Sequence, residues 1–131
     1  MQVTTGIDII EVERIKEAIE NLDSRFLNQI YTESEIIYCN KSNKMKYQHF
    51  AARFAVKEAV YKSISNYTNE PVSCFWKYIE VQNNENGRPK ININLLKEKN
   101  INGLIDIDIS ISHIKDYAVA NAVATFEKGI I

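Results

Sequence analysis

Few side chains in this sequence can carry chemistry, and the leading candidates are two acids and a lysine. Asp8 stands two positions after Gly6 in the β-branched segment Val3 to Ile10, and a carboxylate on a largely buried strand needs a partner because an isolated buried charge is expensive. Either it accepts backbone hydrogen bonds at a strand edge or it belongs to a site. Glu58 and Lys62 lie one helical turn apart and share a face with Ala51 and Ala55, whose small side chains admit the close approach of another group. As a solvated pair they contribute about 0.2–0.5 kcal/mol; the other reading is a carboxylate and lysine site. His113 directly follows Ser112 at the end of a strand, where structural and functional roles are both open. Two histidines and two cysteines are too few for a zinc cluster. There is no Walker-type loop, no GxGxxG fingerprint and no GxSxG elbow.

The elements that must position these residues follow from periodicity. Val3 to Ile10 reads as a strand, with Asp8 on the opposite pleat from Ile7 and Ile9. From Glu11 the pattern becomes helical, with Val12, Ile15, Ile19 and Leu22 on one face. A second helix is expected over Phe26 to Tyr31, and Thr32-Glu33-Ser34-Glu35 offers a capping-box start for a third running to Cys39. Asn40 to Lys46 is a polar, basic loop. The longest helix spans Tyr47 to Ser65, with Phe50, Phe54, Val60, Tyr61 and Ile64 on one core-facing stripe and Glu58 and Lys62 at its edge. Tyr78 to Val81 and Lys90 to Ile93 read as strands joined by a turn at Asn86-Gly87, with Pro89 favouring a sheet edge. Ile105, Ile107, Ile109 and Ile111 alternate with Asp106, Asp108, Ser110 and Ser112, which predicts a strand with one dry face. After a turn at His113 to Asp116, alternating alanines mark a last strand over Tyr117 to Thr125. The fold class is α+β, a mostly antiparallel sheet around one long helix.

Bulk properties narrow the function. The 131 residues, without repeats or a Pro/Gly-rich linker, are expected to form one domain over 1–131. A hydrophobic fraction of 45% and a charged fraction of 25% are those of a globular protein, and no apolar run approaches the roughly 18 residues that cross a bilayer. The amino terminus lacks the pattern of a secretory signal, so a cytoplasmic location is expected, with Cys39 and Cys74 as reduced thiols. A net charge of −1 argues against a wholesale nucleic-acid binder, so any anionic partner must be met by a local patch.

Four blocks, GIDIIEVERI (6–15), FAARFAVKEAVYKSI (50–64), IEVQNNENGRPKI (79–91) and ISISHIKDYAVANAVA (109–124), occur in an order and at spacings that resemble the holo-acyl carrier protein synthases. These are the small bacterial phosphopantetheinyl transferases. The resemblance implies transfer of the 4′-phosphopantetheine arm of coenzyme A to a serine of an acyl carrier protein, releasing 3′,5′-ADP, for fatty acid biosynthesis. By the same resemblance Asp8 and Glu58 match the magnesium-binding acids, with Mn²⁺ as a substitute ion, and Lys62 matches the lysine on the coenzyme A phosphates. Glu58 or a metal-bound water is the candidate for taking the serine proton, ahead of Asp8. The resemblance sets Arg53 at the nucleotide end, Lys44 and Lys46 near the 3′-phosphate, Ser112 and His113 by the same phosphates, and Gly87, Arg88 and Pro89 in a loop over the adenine. Arg14, extended by Lys16 and Arg25, resembles the surface that receives the carrier protein. Homotrimers with active sites between subunits are implied as well. The sequence departs from the family pattern at Ile64-Ser65-Asn66, where glycine is usual, and at Ile114, where threonine is usual. A non-catalytic subunit that binds carrier protein or coenzyme A is the alternative.

Overall fold

The computed structural model describes residues 1–22 and 24–127, so parts of the domain expected over 1–131 lie outside the described residues. The chain runs β1 (Gln2–Glu11), α1 (Val12–Leu22), α2 (Ser24–Ile30), α3 (Glu33–Asn40), α4 (Lys46–Ile64), β2 (Val81–Asn83), β3 (Pro89–Ile91), α5 (Ile93–Lys97), β4 (Leu104–His113) and β5 (Tyr117–Phe126). Two short 3₁₀ turns, Ser65–Tyr67 and Val72–Cys74, lead out of α4. The main sheet is antiparallel in the order β1-β5-β4, and β2 and β3 form a separate hairpin. This is the expected α+β architecture. No helix among the described residues is long and apolar enough to cross a membrane.

Helix α4 lies across the inner face of the main sheet and is the axis of the molecule. Alanines 118, 120, 122 and 124 of β5 are buried and point inward, and such small side chains let helix and strand approach closely. Gly6 brings β1 equally close, since a Cβ there would fall 1.9 Å from the carbonyl oxygen of Ala59. One apolar cluster surrounds the carboxy-terminal half of α4 together with β2 to β5, and a second joins its amino-terminal half to α1, α2 and α3. The stripe expected on α4 is therefore too narrow: Ala51, Arg53, Ala55, Val56, Lys57, Ala59 and Ser63 are buried as well. A helix packed against a sheet on one side and against other helices elsewhere is buried on more than one face, and a single-stripe template misses that.

Of the charges so enclosed, Lys57 is paired with Glu35 of α3. Lys57 Nζ lies 2.8 Å from Glu35 Oε1, with both side chains fully buried, and donates to the carbonyls of Trp76 and Ile79, each at 2.6 Å. Glu35 also accepts from the backbone N–H groups of Thr32 and Val81, each at 2.9 Å. The capping box read from Thr32 and Glu35 is present, and the same carboxylate ties α3 to α4 and to β2. All three ammonium protons have acceptors, so the network is satisfied.

Three local expectations are corrected. Residues 75–79 are hydrogen-bonded turns, and the strand starts only at Val81, where its N–H meets Glu35. Ile93 opens α5, capped by the Asn92 side chain, where a continuing strand was expected. In β4 a bulge between Leu104 and Asp106 turns Ile105 outward, so the dry face consists of Leu104, Ile107 and Ile109, with Ile111 partly covered. Strand β1 is an edge strand and only Gly6 on it is buried. Val3, Ile7 and Ile9 are more than half exposed on the outer face, so the segment is not the buried strand its composition suggests.

Candidate active site

Asp8 and Gly6 share a pleat because they are two residues apart. With Gly6 pressed on Ala59 and Ser63, the next inward side chain, Asp8, is delivered to the neighbouring face of α4. That face carries Glu58 and Lys62. Lys62 Nζ donates to Asp8 Oδ1 at 3.3 Å and to the carbonyl of Ile7 at 2.9 Å. Asp8 and Glu58 line one cavity of about 420 Å³ with Ile9, Ile10, Arg14, Ile15, Ala18, Phe26 and Phe54. Burial first, and then the Asp8 carboxylate, push the Glu58 carboxyl above the usual carboxylate range, with Lys62 opposing. A half-buried carboxyl whose proton affinity is raised in part by a neighbouring carboxylate belongs to a site prepared for a cation. Among the described residues no third His, Cys, Asp or Glu joins them.

Arg14, expected on the surface that receives the carrier protein, is exposed at this cavity beside the two acids. Arg25 is exposed at the start of α2. Lys16 is half-buried, with its ammonium 5.7 Å from the Tyr47 ring centroid.

A second cavity, of about 200 Å³, is lined by Tyr38, His49, Ala52, Arg53, Asn83, Gly87, Pro89, Ile111 and His113. It shares no lining residue with the first. Arg53 is buried, donates to Asn83 Oδ1 at 2.8 Å, and has its guanidinium 4.0 Å from the Tyr38 ring centroid. His113 Nδ1 is 2.9 Å from Gln48 Oε1. A third hollow, of about 400 Å³, adjoins it through Tyr38, Arg53 and Asn83 and reaches Ser34 and Lys90. Arg88 is turned onto β4, toward Asp108 Oδ1 at 3.4 Å and the Ile109 carbonyl at 3.2 Å.

Not every expected residue gathers here. Ser112 and His113 are neighbours on a strand and so face opposite ways; Ser112 opens onto the outer face of the sheet with Ile7, Val119 and Asn121. Lys44 is exposed in the turn before α4, and Lys46 has its ammonium 5.4 Å from the Tyr47 ring. Ile114 is exposed in the turn after β4. Sequence reasoning passed over His49, Tyr38 and Asn83, and also Phe26 and Phe54 as the apolar wall beside the acids. The signal for His49 was available, since it stands one helical turn before Arg53.

The sequence matches the 4′-phosphopantetheinyl transferase superfamily over residues 4–122, nearly the whole length. The chain belongs to that family. Among its relatives is the holo-[acyl-carrier-protein] synthase of Thermodesulfovibrio yellowstonii, 44% identical over 120 residues, which cover 92% of this chain and 96% of the relative. The corresponding synthase of Protochlamydia amoebophila is 41% identical over 123 residues, covering 94% and 98% of the two chains. Among solved structures, the Helicobacter pylori synthase in complex with coenzyme A superposes with a TM-score of 0.74 at 26% identity, over 92% of this chain and 99% of that one. The Bacillus anthracis synthase in complex with coenzyme A (3′,5′-ADP) gives 0.73 at 31% identity, over 92% and 94%. In this chain the Gly6 to Asp8 strand and the Glu58 to Lys62 turn of α4 stand against each other.

Proposed function

We propose that this chain is a magnesium-dependent holo-acyl carrier protein synthase of the cytoplasm. It moves the 4′-phosphopantetheine of coenzyme A onto a serine of apo-acyl carrier protein, releases 3′,5′-ADP, and serves fatty acid biosynthesis. The observation that carries this reading is the meeting of Asp8, Glu58 and Lys62, from distant segments, at the edge of one cavity. Relatives of the chain bear this name, and neighbours in fold hold coenzyme A.

Two carboxylates, with no third ligand among the described residues, suit Mg²⁺, which takes oxygen donors, keeps waters and is completed by substrate phosphates. Asp8 and Glu58 would hold the ion, and when bound it supplies neutralising charge to the diphosphate. Lys62 trades its bonds to Asp8 and the Ile7 carbonyl for the phosphate that leaves with the nucleotide. The serine oxygen attacks the phosphorus that bears pantetheine, the bond from that phosphorus to the nucleotide phosphate breaks, and the serine proton passes to Glu58 directly or through water. Glu58 is positioned to accept it because its carboxyl lines the cavity the serine must enter. Catalysis is otherwise positioning and electrostatics. Arg14 at the rim meets acidic groups of the carrier, with Arg25 and Lys16 extending the basic surface, while Phe26 and Phe54 offer an apolar wall. Arg53, His113 and the Gly87 to Pro89 turn receive the nucleotide end.

The active unit in this reading is a homotrimer. Val3, Ile7, Ile9 and Tyr117 form an exposed apolar row on the outer face of β1 and β5, and such a row is suited to burial between subunits. The acid cavity of one subunit then adjoins the nucleotide cavity of the next. Mixing inactive Asp8→Ala and Arg53→Ala subunits would restore activity only if sites are shared. The decisive test is intact mass: with Mg²⁺ and coenzyme A, an apo-carrier protein gains one phosphopantetheine. No mass change with several carriers overturns the assignment.

A further inference from the structure

The nucleotide cavity has more polar capacity than its expected residues use. Two buried nitrogens there, His49 Nδ1 and Arg53 Nε, lack a hydrogen-bond partner. An unpaired buried polar atom costs about 1–3 kcal/mol, and two of them in residues lining one cavity call for an explanation in a ligand. The imidazole of His113 stands edge-on to that of His49, with centroids 5.9 Å apart. Gln48 Oε1 can only accept, so His113 keeps its proton on Nδ1 and leaves Nε2 open.

Charged and titratable groups around His49 come from each element packed on it: Arg53 from α4, His113 from the end of β4, and the Tyr38 phenol from α3, with its ring centroid 5.4 Å away. None is an acid. Burial, then His113 and Arg53, hold the His49 imidazole below its usual range, so it is neutral at pH 7 in the free protein. A phosphate monoester brings a charge of about −1.5 to −2 at that pH, which reverses the electrostatic balance at both imidazoles.

We propose, on the transferase reading above, that His49 is a specificity-determining residue that reads the 3′-phosphate monoester of coenzyme A beside Arg53 and His113, taking up a proton from solvent as the phosphate enters. A ribose without that phosphate provides no dianion to drive the uptake. His49 therefore separates coenzyme A from dephospho-coenzyme A, and does so more sharply as pH falls from 8 toward 6.5.

Calorimetry of coenzyme A and dephospho-coenzyme A binding, in buffers of different ionisation heat at pH 7.5, tests this on wild type and His49→Gln. Wild type should take up on the order of half a proton per site with coenzyme A and almost none with dephospho-coenzyme A. In His49→Gln the uptake should fall, and the affinity ratio of the two ligands should shrink by about 10-fold. NMR of the wild-type protein gives a second readout that does not depend on a variant folding, since the chain has only two histidines. The His49 resonance should titrate at higher pH with 3′,5′-ADP and not with 5′-AMP. Equal proton uptake and equal ligand ratio in wild type and variant, or a His49 resonance indifferent to 3′,5′-ADP, overturns the role of His49 and leaves the transferase reading standing. Failure of the wild type to bind either coenzyme overturns both.

Discussion

Replacing Gly6 by Ala should damage activity more than its stability cost alone explains. The added Cβ would lie 1.9 Å from the Ala59 oxygen, 2.9 Å from its carbonyl carbon and 3.0 Å from the Ser63 nitrogen, all backbone atoms of α4. Because α4 also packs against β4, β5, α1 and α3, the edge strand yields before the helix does. Strand β1 must therefore lift, from 1.9 Å to an ordinary contact of 3.4 Å at this point, an opening of about 1.5 Å. Overpacking of this kind costs about 1–3 kcal/mol or more. Asp8 is the next side chain on the same pleat and moves with the strand, away from Glu58. A displacement of about 1 Å at reacting groups can reduce the rate about 100-fold. Gly103→Ala provides the control: Gly103 has φ +79°, so alanine is strained by about 1–2 kcal/mol, but its Cβ meets nothing closer than 3.6 Å. Denaturant unfolding should find both variants destabilised by comparable amounts. Phosphopantetheine transfer per folded molecule, well below either melting temperature, should fall about 100-fold for Gly6→Ala and stay near wild type for Gly103→Ala. Equal turnover in Gly6→Ala and wild type would refute the link from glycine to strand height to acid placement.

Glu58→Gln should abolish transfer and yet stabilise the metal-free protein at neutral pH. The folded protein holds the Glu58 proton to higher pH than the unfolded chain does, so this group's contribution to stability falls as pH rises from its unfolded pKa through its raised folded one. Melting temperatures should thus differ at pH 7 and converge near pH 4; a variant melting below wild type at pH 7 contradicts this. Lys57→Met should destabilise by about 3–5 kcal/mol in urea, because it strands the fully buried Glu35 carboxylate without its cation; a loss below about 1 kcal/mol, the range of an exposed pair, contradicts this. Cys39 is fully buried, and burial pushes its thiol up to about 12, whereas Cys74 is exposed. A thiol reagent should label one cysteine per native chain and two after denaturation.

What could be read from the sequence was what neighbours along the chain decide. The capping box of Thr32 and Glu35, the alternation of Ile107 and Ile109 with Asp108 and Ser110, and the hairpin turn at Gly87 each involve residues a few positions apart, and all three are present. The four ordered blocks carried the family, because such blocks record residue types and spacings without any need for coordinates. Pairings across the chain were beyond that reach. Glu35 was legible as a cap but not as the partner of Lys57, which only the stacking of α3 on α4 supplies. Ile7 and Ile9 look like core in the sequence, and they are exposed because β1 is an edge strand whose inner face meets the helix through Gly6, Asp8 and Ile10. Nor did spacing set His49 and Arg53 across a cavity from His113, or Arg14 beside the acids. Periodicity reports which side chains share a face, whereas what covers that face depends on segments distant in the chain, such as β5 against β1, that only tertiary packing brings near.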